Sequence, residues 1–187
     1  MSDFEFLSVL ISIVIGFGLT HLLAGLGRAF HFRDLNKVDA VHVAWTITVF
    51  FVLVLNSWVT LLWRDFSTWT FTVFCTMVLW TTSMYVLALA LYPPHLPEDV
   101  NYREMFEKNR TWFLSTWTIM CLLDLLVTYF REQGLPEPHY IIFVGHYAAI
   151  SAFGILIKNR RYDLFAAWYI AITMAAWSFG VRGTLFA

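Results

Sequence analysis

Six apolar stretches, each long enough to cross a lipid bilayer, occupy most of this chain. One of them carries an aspartate, Asp124, between Leu122, Leu123, Leu125 and Leu126. A hydrocarbon core about 30 Å thick demands roughly 20 apolar residues per crossing helix. Within that core each segment must satisfy its own backbone hydrogen bonds, so open strands and irregular chain are ruled out. The expected fold class is therefore all-α and integral to the membrane: a compact bundle of six transmembrane helices, with three helical hairpins as one arrangement. The predicted spans are Phe6–Phe30, Ala40–Trp63, Trp69–Tyr92, Thr111–Phe130, Tyr140–Ile157 and Leu164–Phe186. Together they make residues 1–187 a single membrane domain, with no room for a soluble one.

Composition agrees. Of 187 residues, 59% are hydrophobic and 13% charged, whereas soluble domains carry about 25% charged residues. Nine tryptophans suit a chain with aromatic belts at two membrane interfaces. No basic run points to nucleic acid, which is not expected as a partner. Cys75 and Cys121 both lie in apolar segments, so a disulfide framework is not expected. The first residues are acidic (Asp3, Glu5), unlike the basic start of a cleaved signal peptide, so the first stretch reads as a retained span.

The breaks between spans have physical causes. Arg33, Asp34, Asn36, Lys37 and Asp39 end the first, and Pro93-Pro94 stops the third. Gly134, Pro136 and Pro138 follow the fourth, while Asp39 and Asp163 stand where N-caps of the second and sixth helices are wanted. Arg28, Arg33, Lys37, Arg103, Lys108, Arg110, Lys158, Arg160 and Arg161 fall on one side, against Arg64, Arg131 and Arg182 on the other. The positive-inside rule makes the first side cytoplasmic and puts both termini outside, periplasmic if the membrane is a bacterial inner membrane. The one long loop, residues 93–110, is then cytoplasmic. Its second half, residues 99–110, reads as an interfacial helix or an inward extension of the fourth span.

Small residues that let helices approach closely are concentrated in the first span (Gly16, Gly18, Ala24, Gly25, Gly27), the fifth (Gly145, Ala148, Ala149, Ala152, Gly154) and the sixth (Ala167, Ala171, Ala175). These three are expected at the packed centre, with the Val-, Leu-, Phe- and Trp-rich second and third spans outside. The same faces also suit a homo-oligomer. A weak echo recurs in Ala44-Trp45-Thr46-Ile47, Thr116-Trp117-Thr118-Ile119 and Ala167-Trp168-Tyr169-Ile170, as three repeated hairpins or chance would give.

Intramembrane polar residues are the candidate site. Counting 1.5 Å per residue from each cytoplasmic end puts His21 at about 14 Å, His146 at about 17 Å, Asp124 at about 20 Å, Asn56 at about 24 Å and Arg182 at about 27 Å. Asp124, His146 and His21 thus form a midplane group with Asn56 and Arg182 above it. Each also has a plainer role: Asp124, His21 and His146 as satisfied interior groups, Asn56 as an interhelical hydrogen-bonding residue, Arg182 reaching to the surface. A zinc-protease motif, a Gly-rich phosphate loop, Cys-x-x-Cys and Gly-x-Ser-x-Gly are all absent, so neither an enzyme nor a metal site is expected.

Three functions compete. The first is a small channel or transporter subunit with a midplane polar site, where histidines with an ordinary pKa of about 6.5 would supply proton coupling. The second is a membrane electron carrier with His21 and His146 as haem ligands; no other cofactor is expected. The third is a non-catalytic accessory or scaffold subunit, whose partners are lipid and other members of a membrane complex.

Overall fold

A computed structural model describes residues 3–180. Among them the chain forms six α-helices and no strand: α1 (Asp3–His31), α2 (Ala40–Val59, prolonged by a 3-10 turn, Thr60–Trp63), α3 (Phe71–Leu91), α4 (Tyr102–Glu132), α5 (Pro138–Leu156) and α6 (Arg160–Gly180). Five of them, α1 to α5, are long and apolar enough to cross a membrane. The sixth predicted span continued to Phe186, and its residues 181–186 lie outside those described.

Local chemistry explains the ends. The Asp39 carboxylate accepts from His42 N at 3.0 Å and caps α2, as its sequence position suggests. Thr70 caps α3 and Asn101 caps α4 in the same way. The helix that begins at Tyr102 runs unbroken into the fourth apolar stretch, so the charged segment before Thr111 is a continuous extension of α4. Gln133, in the left-handed region at φ 52°, closes α4 while Gly134 N bonds back to Tyr129 O at 3.2 Å. Pro138 then opens α5 at a position where no N–H is needed.

α3 packs against α1 on one side and α4 on the other, α4 against α5, and α2 against α6 and α3. The links after α1, α3 and α5 consequently gather at one end. There Lys37 N donates to Val100 O at 2.9 Å and Tyr102 N to Lys37 O at 3.2 Å, while Asn36 Oδ1 accepts from Val100 N at 3.0 Å. Arg160 pairs with Asp39. His42, buried beneath them, bonds Leu91 O at the end of α3 through Nε2 at 2.9 Å.

Asp163 does not cap α6. Asn159 does, accepting from Arg161 N at 2.9 Å. Asp163 stands one turn further in, gripped by Arg110 of α4 through two bonds of 2.7 Å. The same guanidinium donates to Gly154 O at 2.6 Å and Ile157 O at 2.8 Å, carbonyls that the end of α5 leaves without helical partners. One buried cation thus fastens three helices.

The packed centre is not where small residues suggest. The most apolar stretch of α3 is 56% buried, against 28% in α1 and in α5. Large aromatic side chains fill the interior: Trp45 of α2 meets Phe113 and Trp117 of α4 at ring separations of 4.8 and 5.2 Å. Trp80, Met77 and Met84 of α3 are also fully buried. A Cβ placed on Gly16, Gly27 or Gly145 would meet nothing, so these glycines permit no close approach within the chain. Gly25 is different, since a Cβ there would overlap the ring of Tyr92. Of the three echoed tryptophans, Trp45 and Trp117 are enclosed whereas Trp168 is 42% exposed, so only two of the three units share an environment.

Two stability outcomes follow. Gly25→Leu should cost about 1–3 kcal/mol by overpacking, with Gly16→Leu neutral, as read by thermal unfolding in detergent. Arg110→Met, which strands Asp163, should cost about 3–5 kcal/mol, and adding Asp163→Leu should recover most of that loss.

Candidate functional site

A cavity of about 90 Å³ lies toward the end of the molecule opposite the basic links, among α2, α3, α4, α5 and α6. Its walls are largely apolar: Trp58, Trp80, Trp177, Met84, Met120 and Met174, with Phe143 and Val144. Asp124, Asn56, Arg131, Tyr140, Tyr147 and Ser178 bring polar atoms into this lining.

Asp124 is the centre of that polar group. It stands eight residues before Glu132, the last residue of α4, and so about 12 Å inward of that helix end. Trp117, Cys121 and Thr128, at spacings of seven, three and four from it, are all buried, so Asp124 belongs to the inward stripe of α4. Tyr140, in the first turn of α5, reaches back across the Gln133–Glu137 turn and donates its hydroxyl to Asp124 Oδ2 at 2.6 Å. This is a charge-assisted geometry when the carboxylate is ionised. The second oxygen, Oδ1, has no hydrogen bond among the described residues.

The other polar groups are turned to their own helices. Asn56 donates Nδ2 to Val52 O at 2.8 Å, which leaves its carbonyl oxygen unpaired among the described residues. Ser178 donates to Met174 O at 2.8 Å. Tyr147 and Thr173 share a bond of 2.8 Å, in which Thr173 Oγ1 already donates to Tyr169 O, so the tyrosine is the donor. Arg131 pairs with Glu132 at 3.0 Å. The lining therefore offers acceptors at Asp124 and Asn56, while the guanidinium of Arg131 keeps N–H donors beyond the one given to Glu132. Chemically it suits a small polar solute that brings its own N–H or O–H to the acceptors and can face the Arg131 guanidinium, with indole rings beside it.

Asp124 and Asn56 are therefore brought to one cavity. His21 and His146 are not part of its lining. His21, on α1, bonds Tyr92 O at 2.5 Å through Nε2 and tightens the contact of α1 with the end of α3. His146, on α5, bonds Ile142 O of its own helix at 3.1 Å through Nδ1, with Tyr147 and Tyr169 around its ring. Its Nε2 is buried with no partner among the described residues. α1 packs on α3 and α2, and α5 on α4 and α6, so the two histidines stand on helices that share no substantial contact. Arg182 lies outside the described residues. Among those described, no cluster of His, Cys, Asp or Glu is grouped to hold a metal.

Tyr140 and Arg131 are site residues that sequence reasoning passes over. Arg131 is visible only as a basic residue after an apolar run. Tyr140 follows a Gly/Pro-containing turn, and its tie to Asp124 depends on how that turn sets the azimuth of α5, for which the residue types carry no signature. No family model, curated protein or solved structure matches the chain.

Tyr140→Phe removes the donor and leaves the half-buried Asp124 without it, which should destabilise the protein by about 1 kcal/mol. Combining it with Asp124→Leu should cost less than either single change. Thermal or denaturant unfolding of the four proteins in one detergent measures the coupling.

Proposed function

We propose that the chain is a six-span integral membrane protein. Its Asp124 cavity is the solute site of a small channel or transporter subunit. The gathering of the links after α1, α3 and α5 at one end supports an orientation with those basic links in the cytoplasm and both termini outside. In that orientation Asp124 lies in the outer half of the membrane and the cavity serves solutes arriving from outside. Its task is binding and passage rather than bond-making chemistry.

The single observation that carries this reading is the Tyr140–Asp124 bond inside a tryptophan-walled cavity. An ionisable side chain at membrane depth is costly and is most often retained for a substrate or ion path. Here one carboxylate oxygen is fixed by Tyr140 and the other is uncommitted, so the group is oriented yet able to accept. Proton coupling belongs to Asp124 in this reading. His21 and His146 act structurally at the margins of the helix assembly.

Reconstituted proteoliposomes test the proposal with two probes: proton entry under a potassium diffusion potential, read by an entrapped pH dye, and uptake of radiolabelled methylammonium. Wild-type protein should carry at least one of them above empty vesicles. Asp124→Asn should reduce that flux about tenfold or more, the equivalent of 1.4 kcal/mol or more of lost interaction. His21→Gln should leave it unchanged. Equal flux for wild type and Asp124→Asn would remove Asp124 from the path, and no flux above empty vesicles would overturn transport.

A further inference from the structure

A second and larger cavity, of about 410 Å³, opens at the basic end of the molecule, between the first turns of α4 and the link that joins α5 to α6. Its charged lining is Arg103, Arg110, Lys158 and Arg160 against Glu107 and Asp163. The pairing within this set is uneven. Arg103 is held by Glu107 at 2.9 Å, and Arg110 by Asp163 at 2.7 Å. Arg160 reaches out of the set to Asp39. Lys158 has no ion pair among the described residues.

Arg110 is more deeply buried than Arg103 or Arg160. Its side chain is 7% exposed. Nε and Nη2 are committed to Asp163 and to the carbonyls of Gly154 and Ile157, while Nη1 is buried with no hydrogen-bond partner. A buried guanidinium nitrogen without an acceptor is costly; Nη1 is closed to solvent, so Arg110 contributes its charge to the cavity it lines rather than an open donor. Arg160 is the first residue of the 21-residue α6, so the positive end of that helix dipole adds to the same field.

We infer that this cavity binds a phosphate mono- or diester group, held by Lys158 and Arg160 in the field of the Arg110 charge. The volume exceeds what a bare phosphate ion fills, and leaves space for the glycerol or sugar of a larger headgroup. The location, at the ends of three apolar helices, is where a lipid headgroup resides. Free phosphate and a phospholipid share the recognised chemistry and differ in where their remaining atoms go. The site is some distance from Asp124 and does not depend on what that residue does.

The test uses full-length protein in a neutral detergent, with dissociation constants measured by native mass spectrometry for phosphatidic acid, phosphatidylglycerol and phosphatidylcholine. Inorganic phosphate is added as a competitor. An anionic lipid should bind about tenfold or more tightly than phosphatidylcholine, the scale of one or two cationic contacts near a membrane surface. Lys158→Glu should abolish that preference, whereas Lys108→Glu, outside the cavity, should retain it. Competition by millimolar inorganic phosphate would assign recognition to the phosphate itself, and resistance would assign it to the whole headgroup; both support the site. Equal binding of charged and neutral lipids with no effect of inorganic phosphate, or equal losses in the two lysine variants, would overturn it.

Discussion

The bond set of Arg110 holds the fold in register at its basic end. Its guanidinium joins α4 to the first turn of α6 through Asp163, and to the last carbonyls of α5 through Gly154 and Ile157. An ion pair taken from water gains little unless its remaining hydrogen-bonding groups are also satisfied. Here both carboxylate oxygens and two of the three guanidinium nitrogens are. The α5–α6 link is short, three residues between Leu156 and Arg160, so there is little slack with which to replace this attachment. Close packing completes it: a Cβ on Gly154 would come within 3.0 Å of Leu114 and 3.3 Å of Tyr162.

From that fixed end the interior is filled by aromatic bulk. Trp45, Phe113 and Trp117 pack α2 on α4, while α3 supplies Trp80 and two methionines. Toward the opposite end the filling becomes incomplete, and the space left is the cavity of Asp124. Rigid indoles and tyrosines cannot collapse into such a gap as aliphatic chains do. Flexible methionines line part of it, and they adapt to whatever occupies the space. A site of this kind combines a fixed polar anchor with a compliant apolar wall.

Much of the helical layout was legible in the sequence, because apolar length and proline position are read directly. The α2 cap by Asp39 was legible for the same reason: short polar side chains at helix starts act locally. Asp124 stood out as a charge within leucines. Arg110 and Asp163 were equally readable in principle. Arg110 shares a stripe with Phe106, Phe113 and Trp117, and Asp163 with Ala166, Ala167 and Ile170, so each is a charge on a buried face. What the sequence does not contain is azimuth. Depth along a helix was countable, so His21, His146 and Asp124 were assigned similar levels, but equal depth says nothing of which neighbour each one meets. The preference for small residues at the centre held only in part: Gly18, Gly25, Gly154 and Ala167 are closely packed, whereas Gly16, Gly27 and Gly145 have no facing partner and indoles occupy the middle.

The five residues from Gln133 to Glu137 act as a phasing element. Tyr140 finds Asp124 only because this connection delivers α5 at one rotational setting. Each residue of a helix advances the side chain by 100°. Lengthening the connection by one residue and threading the surplus into α5 would therefore swing the phenol from the cavity toward lipid, without changing a single amino acid of either helix. Homologous chains that keep the aspartate and the tyrosine should consequently tolerate changes of residue type in this turn far better than changes in its length.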